Sequence, residues 1–111
     1  TVVELPEFRR RIETLLREDE QEKLILYLSQ QPKSGVIMQG TGGIRKLRWA
    51  RSGTGKSGGI RVIYFFYNEN IPLFLLTAFA KNEKENLSKS ERNDLAALTH
   101  LLIKTYRGKR P

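Results

Sequence analysis

The stretch "ARSGTGKSGGIRVIYFFY", Ala50 to Tyr67, decides how this chain is read. Gly55, Lys56 and Ser57 approximate the phosphate-cradling pattern of nucleotide-binding loops, with Ala50 at the position that a glycine usually holds. That pattern needs a helix directly after the triplet, because free N–H groups and the partial positive charge of a helix N-terminus hold the phosphates. Here Ser57 is followed by Gly58, Gly59 and a β-branched and aromatic run, Ile60 to Tyr67. Such residues are poor helix formers and good strand formers. The stretch therefore predicts a loop, Ser52 to Gly59, feeding a strand, and nucleotide hydrolysis is set aside. Glycines at 53, 55, 58 and 59 would let backbone come close to a phosphodiester chain, with Lys56 presented beside Arg61.

Working outward, "IRKLRWAR" (Ile44 to Arg51) alternates after Arg45: Leu47 and Trp49 point one way, and Lys46, Arg48 and Ala50 the other. "PLFLLTAFA" (Pro72 to Ala80) reads as a buried strand after an "NEN" turn. Three consecutive antiparallel strands result. "QGTGG" (Gln39 to Gly43) is a turn cluster before them. Upstream, Phe8, Ile12, Leu15 and Leu16 fall on one helical face, with Pro6 suited to the first turn. A second helix fits Glu18 to Gln31, its acidic start matching the helix dipole and Pro32 ending it. "TVVEL" reads as a short strand. At the other end, Ser88 and Glu91 match a capping box, with Ser90 as rival cap. Leu95, Leu98, Leu102 and Tyr106 then keep helical spacing as far as Gly108. The fold class is α+β: two N-terminal helices, an antiparallel meander and a C-terminal helix, expected as one domain over residues 1–111.

The chain has 111 residues, no cysteine and a single histidine, His100, so disulfide scaffolds and Cys- or His-rich metal sites are excluded. Its longest apolar run is about half the roughly 20 residues that span a bilayer, and no signal pattern opens it, so a soluble cytoplasmic protein is expected. The net charge is +8. Between Lys23 and Asn68 there is no acid, while that segment holds Lys23, Lys33, Arg45, Lys46, Arg48, Arg51, Lys56 and Arg61. The rest of the chain is balanced, so the entire excess sits in one segment. A polyanion, with nucleic acid first, is the natural partner.

Three strings, "QGTGGIRKLRWA", "GKSGGIRVIYFFYNE" and "LLTAFAKNEKENLS", together with the order helix, helix, meander, helix, resemble the RelE/HigB family of bacterial toxins, and the HigB branch in particular. The resemblance covers nearly the whole chain and is most specific from Gln39 to Ser88. It implies a ribosome-dependent mRNA interferase that enters the ribosomal A site and cuts mRNA without metal or other cofactor, using the RNA 2′-hydroxyl as nucleophile. Further implied are a cognate helix-turn-helix antitoxin of HigA type and contact with operator DNA only through the antitoxin complex; no membrane is involved. Carried over by residue, Lys46, Arg48 and Arg51 hold the RNA backbone, with Arg45 and Lys84 as further RNA contacts. Arg61, in the string G-x-R-V-I-Y, stabilises the phosphate under attack, and Lys81 is the basic residue after the last strand. The best-known members have an arginine and a tyrosine where this chain has Asn82 and Ser88. The general base therefore does not transfer, and Lys56 or Lys81 is left to fill the acid–base roles.

These residue types suit the chemistry. Attack by a 2′-oxygen builds negative charge on the phosphate oxygens, and a fixed guanidinium stabilises that transition state more than the ground state. A lysine, normally protonated with a pKa of about 10.4, is a ready acid for the departing 5′-oxygen. Glu83 reads as an ion-pair or helix-terminus carboxylate before an acid–base residue. Trp49 and the aromatics Tyr64, Phe65, Phe66 and Tyr67 read as core, His100 as helix surface, and Arg9, Arg10 and Arg11 as a solvated helix face. Two rivals keep the fold: a ParE-like inhibitor of DNA gyrase, and a catalytically degenerate binding or co-repressor module.

Overall fold

The computed structural model describes residues 1–50, 59–84 and 86–108. A strand, β1 (Val2–Glu4), leads into α1 (Pro6–Leu15) and α2 (Glu18–Gln30). Four strands follow, β2 (Val36–Ile37), β3 (Ile44–Trp49), β4 (Ile60–Phe65) and β5 (Leu73–Ala80), and α3 (Lys89–Gly108) closes the order. The sheet runs β1-β5-β4-β3-β2. The meander β3–β4–β5 is antiparallel, as the sequence predicts. Two features differ from the expectation. The N-terminal strand pairs parallel to β5, so the sheet is mixed, and a two-residue strand, β2, adds an edge beside β3.

Each face of the sheet carries its own apolar layer, which is why β4 is buried at every position. On one face Phe8, Ile12 and Leu16, with Leu24 and Leu28, cover Leu47, Ile60, Val62, Tyr64 and Leu75. On the other, Leu95, Leu98, Leu102 and Ile103 of α3 pack over Ile44, Ile63, Phe65, Phe74 and Phe79. Fully burying one side chain of this size stabilises the fold by about 1.5–3 kcal/mol, so the two layers dominate the energetics. The register slips by one residue of β5 between the Ile63–Thr77 and Tyr64–Leu75 pairs. This bulge shifts the alternation so that Phe74 and Phe79, an odd number of residues apart, both reach the α3 side.

Local chemistry sets the element ends. The Ser88 amide donates to Glu91 Oε1 at 2.8 Å, and the Glu91 amide donates to Ser88 Oγ at 3.1 Å, the reciprocal pair predicted for the start of α3. The turn before β3 uses Gly40 and Gly42 at φ 76° and Gly43 at φ 114°, a region that side-chain-bearing residues rarely adopt. β4 begins at Ile60, a strand and no helix, as the run from Ile60 predicts; the loop expected over Ser52 to Gly59 falls, up to residue 58, outside the described residues.

The edge strand β2 is held from a distance. Tyr64, fully buried on β4, donates its hydroxyl to the Pro32 carbonyl and accepts from the Gly35 amide, both at 2.8 Å. Tyr64→Phe would leave the buried Gly35 N–H without that acceptor. It is expected to cost about 1–3 kcal/mol, read in urea unfolding as a lower midpoint at unchanged slope.

Candidate functional site

Alternation along β3 decides which of its cations can act together. Ile44, Lys46 and Arg48 fall on the α3 side of the sheet, while Arg45, Leu47 and Trp49 fall on the side of α1 and α2. Arg48 lies directly opposite Arg61 of β4, and Arg61 directly opposite Phe79 of β5, which gives one row across three strands. Lys46 lies opposite Ile63 on the same face, one step along.

Side chains opposite each other in a sheet stand about 4.5–5.5 Å apart at Cβ, and like charges so placed repel. Arg48 is exposed, but Arg61 retains only 9% of its exposure. The contact recorded for the Arg61 guanidinium is a long hydrogen bond, 3.3 Å, from Nη1 to the Ile60 carbonyl. Among the described residues, neither arginine has an acidic partner within ion-pair distance. A charge held this far from water is costly unless something of opposite sign meets it. The row is therefore poised for an anion.

The cations bordering the row are arranged differently. Lys84 stands 5.0 Å from the centroid of the Phe79 ring, which joins it to the row, but its Nζ is 2.6 Å from Glu91 Oε2. Lys81 is exposed, and its amide donates to the Gly59 carbonyl at 3.0 Å, which fixes it beside the start of β4. Next to Lys84 an open cleft of about 440 Å³ runs between α1 and the end of β5. Arg11 crosses it with two 2.5 Å contacts to Glu83 and a 3.1 Å bond from Nε to the Ala78 carbonyl. The Arg11 hydrogen bond holds the Glu83 carboxyl below its ordinary value of 4.5, and the Lys84 hydrogen bond does the same for Glu91. Both are thereby weak bases, in keeping with the ion-pair reading of Glu83.

Other expectations are redistributed. Arg45 faces away from the row, and its Nη1 donates to the Lys33 and Gly35 carbonyls at 3.0 and 2.8 Å, bracing the segment before β2. Arg51 and Lys56 lie outside the described residues. Trp49 is half-buried against the α1–α2 layer, its ring 5.5 Å from that of Tyr27, as a core residue would be. Tyr67 departs from the core reading: it is 44% exposed. Arg92, outside the basic segment, sits half-buried on α3, three residues before Leu95 and seven before Thr99, so it shares their sheet-facing side. Its Nε is buried with no hydrogen-bond partner, a donor still to be satisfied. Periodicity carries that signal, since an arginine on the apolar stripe of an amphipathic helix is out of pattern. Among the described residues, no three His, Cys, Asp or Glu side chains are grouped to hold a metal ion, and no helix is long and apolar enough to cross a membrane.

A model of the family described as the RelE toxin of the RelE/RelB toxin–antitoxin system matches residues 15–109 of this chain. The match takes in every strand of the meander and all of α3.

Two outcomes are expected from the charge arrangement. Arg48→Thr relieves the repulsion across the β3–β4 pair and should raise stability by about 0.2–1 kcal/mol, measured by denaturant unfolding at low salt. A carboxyl with a depressed folded-state value contributes stability that is present above its ordinary value and lost as pH falls through the folded one. The Glu83 and Glu91 pairs should therefore weaken the fold below pH 4.5. Thermal unfolding followed against pH should show this acid loss reduced in Glu91→Gln.

Proposed function

The chain belongs to the RelE toxin family, the toxin side of a toxin–antitoxin system, and from that premise we propose that it is a ribosome-dependent endoribonuclease of HigB type. The reading is that it cuts mRNA in the ribosomal A site and so stops translation until a cognate antitoxin of helix-turn-helix type binds it. Operator DNA is contacted only through that complex. The observation that carries the reading is the Arg48–Arg61 pair: two guanidinium groups opposite each other on a rigid sheet, with no acidic partner among the described residues.

The chemistry follows from these side chains. The RNA 2′-hydroxyl gives up its proton and its oxygen attacks the adjacent phosphorus. The bond to the 5′-oxygen breaks, and that oxygen leaves with a proton. The products are a 2′,3′-cyclic phosphate and a 5′-hydroxyl end, and neither atoms nor electrons are needed from a cofactor. Arg61 meets the charge that develops on the phosphate oxygens. Its position on a central strand gives it the fixed geometry that such stabilisation requires. Lys46, Arg48 and Arg51 hold the backbone on either side. Lys81 and Lys56 are the cations suited to protonate the leaving oxygen, with Lys84, tempered by Glu91, as an outer contact.

Mapping of mRNA 5′ ends after induction tests this reading. Cuts phased with codons in translated frames are expected. Arg61→Ala should lower cleavage by about 10²–10³-fold and relieve growth arrest, while antitoxin binding in a pull-down stays intact. DNA breaks with intact mRNA would favour gyrase inhibition instead, and antitoxin binding with neither lesion would favour a co-repressor module. Full toxicity from a stably expressed Arg61→Ala protein would remove Arg61 from the site.

A further inference from the structure

We propose that the groove between the C-terminal half of α3 and the residues just past β4 is a second nucleic-acid contact, built to take a single-stranded RNA segment. Five residues line it: Tyr67, His100, Ile103, Lys104 and Arg107. Four of them fall at i, i+3, i+4 and i+7 on α3, one continuous stripe of the helix surface. The groove encloses about 510 Å³ and contains no carboxylate. Among the described residues, neither Lys104 nor Arg107 forms an ion pair.

The aromatic member decides the ligand class. Tyr67 is 44% exposed, and its ring is stacked on that of Phe65 at 6.3 Å and 29° between planes. Phe65 is fully buried, so the tyrosine rests on a rigid support and loses little rotational freedom when something lies against it. An exposed ring held flat beside two free cations offers a nucleobase a stacking surface and the adjoining phosphate a counter-charge. The dipole of α3 accounts for a cation in its last turn, but not for the ring or the imidazole beside it. An acidic protein segment would find the cations and leave the ring without a π-face to meet.

This surface is distinct from the arginine row. Tyr67 follows the end of β4, and the four strand steps from Arg61 to Phe65 alone span about 13 Å at about 3.3 Å per residue. The proposal therefore stands whether or not the row cleaves RNA. It gives the molecule two holds on polynucleotide, one at each end of β4.

His100 is the only histidine in the chain, so its ring protons give a single assignable NMR reporter inside the groove. The test is a titration of the full-length, antitoxin-free protein with a short oligouridylate, repeated in Arg61→Ala so that cleavage plays no part. The expected result is a saturable displacement of the His100 signals in both proteins. Tyr67→Ala should weaken that response by about 5- to 150-fold, and Tyr67→Phe, which keeps the ring, should restore it. Replacing Lys104 and Arg107 together by alanine should make log K fall less steeply with log salt, by about 1.4 in slope. His100 signals that stay still while the amides of β3 and β4 move would overturn the proposal, since RNA would then bind only at the row. So would equal responses of Tyr67→Ala and Tyr67→Phe. An acidic polyglutamate peptide that moves the His100 signals as strongly as the oligonucleotide would reassign the groove to a protein partner.

Discussion

A buried arginine on the central strand of the sheet, Arg61, is the constraint on which the rest of the molecule turns. Arg61 has β3 on one side and β5 on the other, and every neighbour along β4 is buried. A charge in that position must be compensated or must meet an opposite charge brought by a ligand. The structure withholds compensation where it had the means to provide it. Glu83 and Glu91 are close to the end of β5, yet Arg11 takes the first and Lys84 the second.

That division of charge separates two jobs. The ion pairs bind elements together: Arg11–Glu83 fastens α1 to the turn after β5, and Lys84–Glu91 fastens the same segment to the first turn of α3. These pairs are partly exposed, so each contributes little stability alone. Their larger effect is to occupy the carboxylates that would otherwise neutralise the row. Arg48 and Arg61 then remain without a carboxylate among the described residues, and they repel each other.

Much of this frame is legible in the residue pattern, because it depends on near neighbours. Alternation in "IRKLRWA" separates Lys46 and Arg48 from Leu47 and Trp49, and the Ser88–Glu91 pair marks the start of α3. Both are short-range signals with a fixed period. β2 is not legible in the sequence, for the opposite reason. Two residues make no pattern, and that strand exists because Tyr64 and Arg45, distant in sequence, hold the chain on either side of Gly35. Tyr67 closes an aromatic run that reads as core, but the strand ends at Phe65 and alternation no longer governs it.

The element types, the meander, the concentration of positive charge between Lys23 and Asn68, and the lack of a nucleotide-binding helix after Ser57 are all readable from residue order. Those follow from periodicity, propensity and composition, which act over a few residues. Which cations share a face, and which are tied up in ion pairs, depends on packing across the whole domain. Strand register set Arg48 against Arg61, placed Arg45 on the other side to brace the β2 edge, and brought Glu91 to Lys84. Register and ion pairing depend on how separate segments pack against a common core, and no local stretch of chain encodes that.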